Sequence, residues 1–281
     1  MLRSLFAGIS GLRANQTMLD VAGNNIANAN TIGFKSSTVV FQDTLSQIMT
    51  GAGAPSASGG GTNPIQVGLG VQVAATAGNF NQGSAEVTGR STDLMLQGDG
   101  FFVLGSDSGN VYTRAGDFAF DANGDLVAPS GKKVMGWAPG DSPDPTKLGP
   151  VNINALNASL PAGVEMTSYS IGADGVLRGN FSDDQQRDIA SLAIADFVNP
   201  AGLEKVGETA FRASANSGRP ELDVAGAGRR GTLVGGSLEM SNVDLAAEFT
   251  NLILAQRGFQ ASSRVITTSD QVLEDLVNIK R

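Results

Sequence analysis

The chain has 281 residues, a formal charge of −8, no cysteine and no histidine. Without cysteine there is no disulfide, thiolate nucleophile or thiolate-bound metal site; without histidine the usual neutral-pH base and the commonest transition-metal ligand are gone. The acidic balance opposes the basic face that phosphates require, so the chain reads as a non-enzyme with no cofactor and no nucleic-acid partner.

From the first residues, apolar side chains fall at Leu2, Leu5, Ile9, Leu12, Leu19 and Ile26, with Gln16 and Gly23 in the intervening places. Alternating steps of three and four give an amphipathic helix in heptad register. One column, Leu5/Leu12/Leu19/Ile26, is apolar throughout and the other is broken. The segment has neither a continuous apolar run nor a small-residue cleavage site, so no cleaved secretory signal is expected. Nor does any run in the chain reach the ~18–20 apolar residues of a spanning helix, so no membrane insertion is expected. Asn28, Asn30 and Gly33 close the helix, because Asn and Gly tolerate the left-handed conformation at helix ends. Asn24 and Asn25 fall inside the helical pattern, where asparagine competes for backbone hydrogen bonds. Amides that both donate and accept there fit a tightly packed helix-to-loop junction.

Residues 36–75 read as an extended connector, since Gly51–Thr62 carries five glycines, one proline and no charge. Residues 76–230 read as an all-β domain of the sandwich or barrel kind, with short apolar runs such as Phe118–Phe120, Val134–Trp137 and Ser168–Ile171. Within it, Leu94–Leu96, Gln97–Gly100 and Phe101–Leu104 read as strand, tight turn, strand, with Asp99-Gly100 as the turn signal. Asp121–Gly124 and Gly172–Gly175 repeat that punctuation. Gly226–Gly231 matches the dinucleotide glycine string but is followed by a strand-like run instead of a helix, and reads as a turn. Asp121–Asp125 lacks the glycine and glutamate of a calcium loop, and Asp183-Asp184 sits in a polar turn. Residues 231–237 return the chain to its last segment.

That segment repeats the heptad pattern at Leu245, Phe249, Leu252, Gln256, Phe259, Ser263, Ile266, Asp270, Leu273 and Val277. Ser241 followed by Asp244 resembles a capping box opening the helix. Residues 1–35 sum to +2 and residues 238–281 to −2, so the ends can pair, although exposed pairs are worth little. A helix that buries one narrow stripe against one neighbour recovers little beyond the entropy of ordering it, which places further neighbours around it. The plain alternative is two amphipathic helices in an ordinary core.

Asn24–Lys35 resembles the amino-terminal signature of the bacterial flagellar axial proteins, the rod, hook and hook-associated subunits. Leu238–Leu245 with Ala255–Gln260 resembles their carboxy-terminal signature, and Gly98–Phe102 with Tyr112–Gly116 is similar to strings of their central β domain. The resemblance implies an α+β fold in which the terminal helices, 1–35 with 238–281, pair as a coiled-coil-like stalk. It also implies a homopolymer joined to neighbouring axial proteins, export by the flagellar type III machinery, and location in the hook or basal body. The expected assembly interface comprises Leu2, Leu5, Ile9, Leu12, Leu19, Asn24, Asn25, Ile26, Asn28, Gly33, Phe34, Leu245, Phe249, Leu252, Gln256, Phe259, Ile266, Leu273 and Val277. Leu5–Leu12 and Ser168–Asn199 look hook-like, whereas the length and the connector Gln42–Gln66 suit the distal rod. The reading favours the hook, with the rod as the alternative and a secreted β-rich binding module as the reading of another class.

Overall fold

The two heptad segments form α1 (Leu2–Ala27) and α2 (Leu245–Ile279). The computed structural model describes residues 2–55, 60–106, 109–140, 143–155 and 165–279. Between the helices the described chain is β-rich, so the α+β class follows. α2 does not open on the expected box. The Asp244 carboxylate accepts from the backbone N–H of Ala246 at 2.9 Å and Ala247 at 3.2 Å, so Asp244 is the cap and Ser241 lies outside the helix. Aspartate caps as well as serine does, and its charge also meets the positive end of the helix dipole.

The chain divides into two compact units, one of residues 1–27, 37–79 and 243–281, the other of residues 28–36 and 80–242.

In the first unit α1 and α2 run antiparallel. Ser4 Oγ lies 3.4 Å from Ser269 Oγ, and Asn25 Nδ2 donates to Glu248 Oε1 at 2.9 Å. Between these crossings, a Cβ on Gly11 would stand 2.9 Å from Ser262 Oγ, one on Gly8 would stand 3.2 Å from Ile266 Cγ1, and one on Gly258 would overlap the Asn15 amide. All these crossings share one register. The seam on α1 therefore follows Ser4, Gly8, Gly11, Asn15, Met18, Ala22 and Asn25, a second heptad made of small and polar residues apart from Met18. Glycine inside a helix costs ~0.5–1 kcal/mol relative to alanine, and here it lets two backbones approach. Gly258→Leu should lower the helix melting transition by about 1–3 kcal/mol of overpacking. Circular dichroism at the helix band would read the loss, while the fluorescence of Trp137 in the other unit stays unchanged.

Residues 37–79 are more ordered than a plain connector. Ser37–Asp43 pairs antiparallel with Val71–Gly78, Ser46–Thr50 pairs with Ile65–Gly68, and a bridge joins Gly53 to Thr62. The result is a two-stranded arm whose outer strands are exposed on both faces.

The second unit is built around the strand Phe101–Gly105, which pairs antiparallel with Val111–Thr113, Lys133–Trp137 and Ile194–Asp196. Successive side chains of a strand point to opposite faces. Phe102 and Leu104 enter a core with Leu94, Leu96, Phe118, Val134, Leu177, Ile189 and Leu192, while Phe101 and Val103 enter a second with Tyr112, Trp137, Phe197 and Phe211. A strand buried on both faces reads as the continuous apolar run seen in the sequence. The sheet continues through Gln186–Leu192 and Val176–Phe181 to Met166–Ile171 on one side, and through Ala210–Arg212 to Glu204–Gly207 on the other.

The expected hairpin of Leu94–Leu96 with Phe101–Leu104 does not form. Leu94–Gln97 pairs instead with Thr232–Gly235. Gly98 and Gly100 have φ of +108° and +126°, and a Cβ on Gly100 would stand 2.7 Å from Ile194 Cγ2. The glycines thus let the chain cross between sheets instead of reversing within one. Elsewhere the glycine turns behave as read. The Asp121 carboxylate accepts from the N–H groups of Asn123 and Asp125, and Gly175, at φ +76°, turns Met166–Ile171 into Val176–Phe181. Gly226 N–H bonds Gly231 O at 2.9 Å to close a turn, and Asp183 pairs with Arg187 at the surface.

Candidate assembly interface and its buried junction

The amino-terminal signature leaves α1 at Asn28 and is bound into the second unit. Thr31 Oγ1 donates to Asn28 Oδ1 at 3.0 Å, and Gly33 takes φ +67°. Gly33 N–H donates to Glu239 O at 2.8 Å, so the signature runs against the strand Ser237–Glu239 of the carboxy-terminal signature. Ser36 N–H donates to Asn242 Oδ1 at 2.8 Å, tying the same two segments one step further on.

The next side chain, Lys35, is fully buried. Its Nζ donates to Glu239 Oε1 at 2.6 Å and to Asn81 O at 2.8 Å. Glu239 Oε1 also accepts Gly83 N–H at 2.9 Å, and Oε2 accepts from Arg114 Nη1 at 3.4 Å. Arg114 in turn lies over the Phe101 ring, 5.3 Å from its centroid. Burial pushes the Lys35 ammonium below its ordinary value, and Glu239 opposes that shift. Arg114 is likewise pushed down by burial, with Glu239 and Asp99 opposing. One carboxylate therefore serves two buried cations. Phe34 is half-buried with Lys205 Nζ 4.8 Å above its ring, and that amine donates to Lys35 O at 3.1 Å. Lys35, Arg114 and Glu239 come from three of the strings that carried the family resemblance, yet periodicity gave no sign that they meet. A charged residue closing an otherwise uncharged signature was the available cue.

In the first unit Asn25 is buried and ties three segments: its Nδ2 donates to Ser37 O at 2.8 Å and to Glu248, and its Oδ1 accepts Ser37 N–H at 3.0 Å. This is the packed junction expected of the asparagines. Asn24 is exposed.

The apolar columns lie mostly off the α1–α2 seam, Ile266 entering it at the Gly8 crossing. Leu5, Leu12, Leu19 and Ile26 are half-buried, as are Leu252, Ile266 and Leu273, while Ile9, Leu245, Phe249, Gln256, Phe259 and Val277 are exposed; Leu2 lies in the first turn of α1. Phe249 is 52% exposed and Val277 66%. Large contiguous apolar patches facing water are characteristic of interaction sites.

Comparison with known proteins gives the family. Residues 5–35 match the model "Flagella basal body rod protein", residues 95–179 "Flagellar hook protein FlgE/F/G D1 domain", and residues 234–279 "Flagellar basal body rod FlgEFG protein C-terminal". The chain is 43% identical over 282 residues to the flagellar basal-body rod protein FlgG of Bacillus subtilis, covering 100% of both chains. It is 34% identical over 285 residues to FlgG of Borreliella burgdorferi, again covering 100% of both. It is 29% identical over 442 aligned positions to the flagellar hook protein FlgE of Borreliella burgdorferi, with 100% of each chain spanned. With signatures at both ends, a β unit between them and full-length relatives, the chain belongs to the flagellar axial protein family and is a structural axial subunit of the bacterial flagellum.

Proposed function

We propose that the chain is a distal rod subunit that polymerises into a helical tube and carries out no catalysis. The observation that carries the rod reading is length: the rod relatives align over 282 and 285 positions, whereas the hook relatives need 442 and 463. The two-stranded arm of residues 37–79 supports it, because a subunit for a stiff tube gains from a second contact besides its helices. The hook remains the second reading, favoured by 45% identity over 164 residues to the hook protein FlgE of Helicobacter mustelae.

Neighbouring copies cover Phe249, Phe259 and Val277, and the seam already formed within one chain leaves most of the expected columns for these contacts. Such a contact joins two different patches and so extends into a filament instead of closing into a ring. Neighbouring axial proteins meet its two ends, and the chain arrives unfolded by the flagellar type III route; no nucleic acid takes part. No helix among the described residues is long and apolar enough to cross a membrane.

Phe259→Asp should leave a soluble monomer with an intact β unit and abolish sedimenting polymers, because a carboxylate buried between copies costs several kcal/mol. Polymers of normal yield from this variant would overturn the tube reading. Straight, stiff polymers of the unaltered chain in electron micrographs support the rod, and curved, flexible ones the hook.

A further inference from the structure

In the first unit, α1 and the strand Val71–Gly78 enclose a groove of about 410 Å³, lined by Phe6, Ile9, Arg13, Val71 and Val73 among others. Phe6 is 65% exposed there. On the same chain, α2 continues beyond the Ser4–Ser269 crossing through residues 270–279. Val272, Leu276 and Ile279 fall at i, i+4 and i+7 and form one stripe of that extension, 50%, 54% and 85% exposed. Asp275 borders the stripe, and Asp270 and Glu274 give the extension a net negative charge over residues 270–279.

We propose that this end of α2 seats in the α1–arm groove of a second copy of the chain, its apolar stripe on Phe6, Ile9, Val71 and Val73 and Asp275 toward Arg13. The inference rests on the polymer reading and gives it a specific joint. Three features select a second copy as the occupant. The stripe is a helix-in-groove ligand with anchors at i, i+4 and i+7. Its acidic border complements the cation of the groove, which steers and registers docking. Groove and stripe are different patches of one chain, so each copy offers both halves and the contact propagates. The arm is then a wall of the socket that receives the next subunit.

The absence of cysteine makes the joint directly readable. Gln72→Cys places a thiol in the groove, and Val272→Cys places one on the stripe. The two full-length variants are mixed as monomers, polymerised and oxidised. A disulfide-linked dimer in the mixed polymer, lost when either variant is polymerised alone, is the expected result. Independently, Arg13→Glu should raise the concentration needed for polymerisation roughly tenfold through like-charge repulsion, and adding Asp275→Arg should restore it. Mixed polymers without the crossed disulfide, or no restoration by the charge swap, overturn the joint while leaving the polymer reading standing. Failure of the unaltered chain to polymerise under any condition overturns both.

Discussion

Glu239→Ala is expected to destabilise the β unit by about 3–5 kcal/mol, the cost of leaving buried charge unpaired. The carboxylate faces Lys35 Nζ at 2.6 Å and Arg114 Nη1 at 3.4 Å, and its loss strands two cations where water cannot reach them. Lys35→Met should cost less, because Glu239 keeps Arg114 and the Gly83 N–H. Trp137 is the only tryptophan and lies buried in the second core, so urea unfolding followed by its fluorescence reports this unit. The deficit has a pH signature. Burial lowers the Lys35 pKa from 10.5 and Glu239 opposes it, so removing Glu239 lowers it further. Between that folded value and 10.5 the unfolded chain holds the extra proton, and stability rises with pH across that window. The gap between Glu239→Ala and the unaltered chain should therefore narrow as pH climbs toward 10.5. A constant gap would assign the loss to packing instead of charge.

Gly33→Ala is expected to strike the same junction from the backbone. Its φ of +67° costs an alanine ~1–2 kcal/mol. A Cβ would also come within 2.7 Å of Ala115 Cα and overlap Ala115 N, which are backbone atoms that cannot swing aside; such overpacking adds ~1–3 kcal/mol. Both variants loosen the docking of residues 28–36 against the strand Ser237–Glu239. Their effects should combine to less than the sum, since neighbouring sites in one network are not additive. Full additivity in a double-mutant cycle would mean that the signature and the ion cluster act separately.

Much of the fold was legible because its signals are periodic or local. Heptad steps gave both helices, and the glycine turns at Asp121–Gly124 and Gly172–Gly175 gave strand punctuation. What escaped depends on partners far away in sequence. Leu94–Gln97 carries every local sign of a hairpin with Phe101–Gly105, and only the pairing with Thr232–Gly235 decides otherwise. The helix seam was hidden for another reason. Hydrophobic periodicity ranks Leu5, Leu12 and Leu19 above Ser4, Gly8, Gly11 and Asn15, although close backbone approach selects small residues. Those larger side chains are left half-buried. Within one chain the seam is lined mainly by small and polar residues, with Ile266 entering at Gly8, while Phe249 and Val277 stay exposed.

The Lys35–Glu239 contact joins positions 204 residues apart. A unit whose first segment, 28–36, must wait for a strand at 237–239 has a high contact order, and its loop closure comes late in folding. A chain emerging from its amino-terminal end would carry an unmatched Lys35 until nearly all of the β unit had followed. Premature compaction of a partial chain would bury that ammonium without its carboxylate, so the ion cluster penalises incomplete products and rewards only the finished one. The junction therefore closes late, in the order in which its parts arrive.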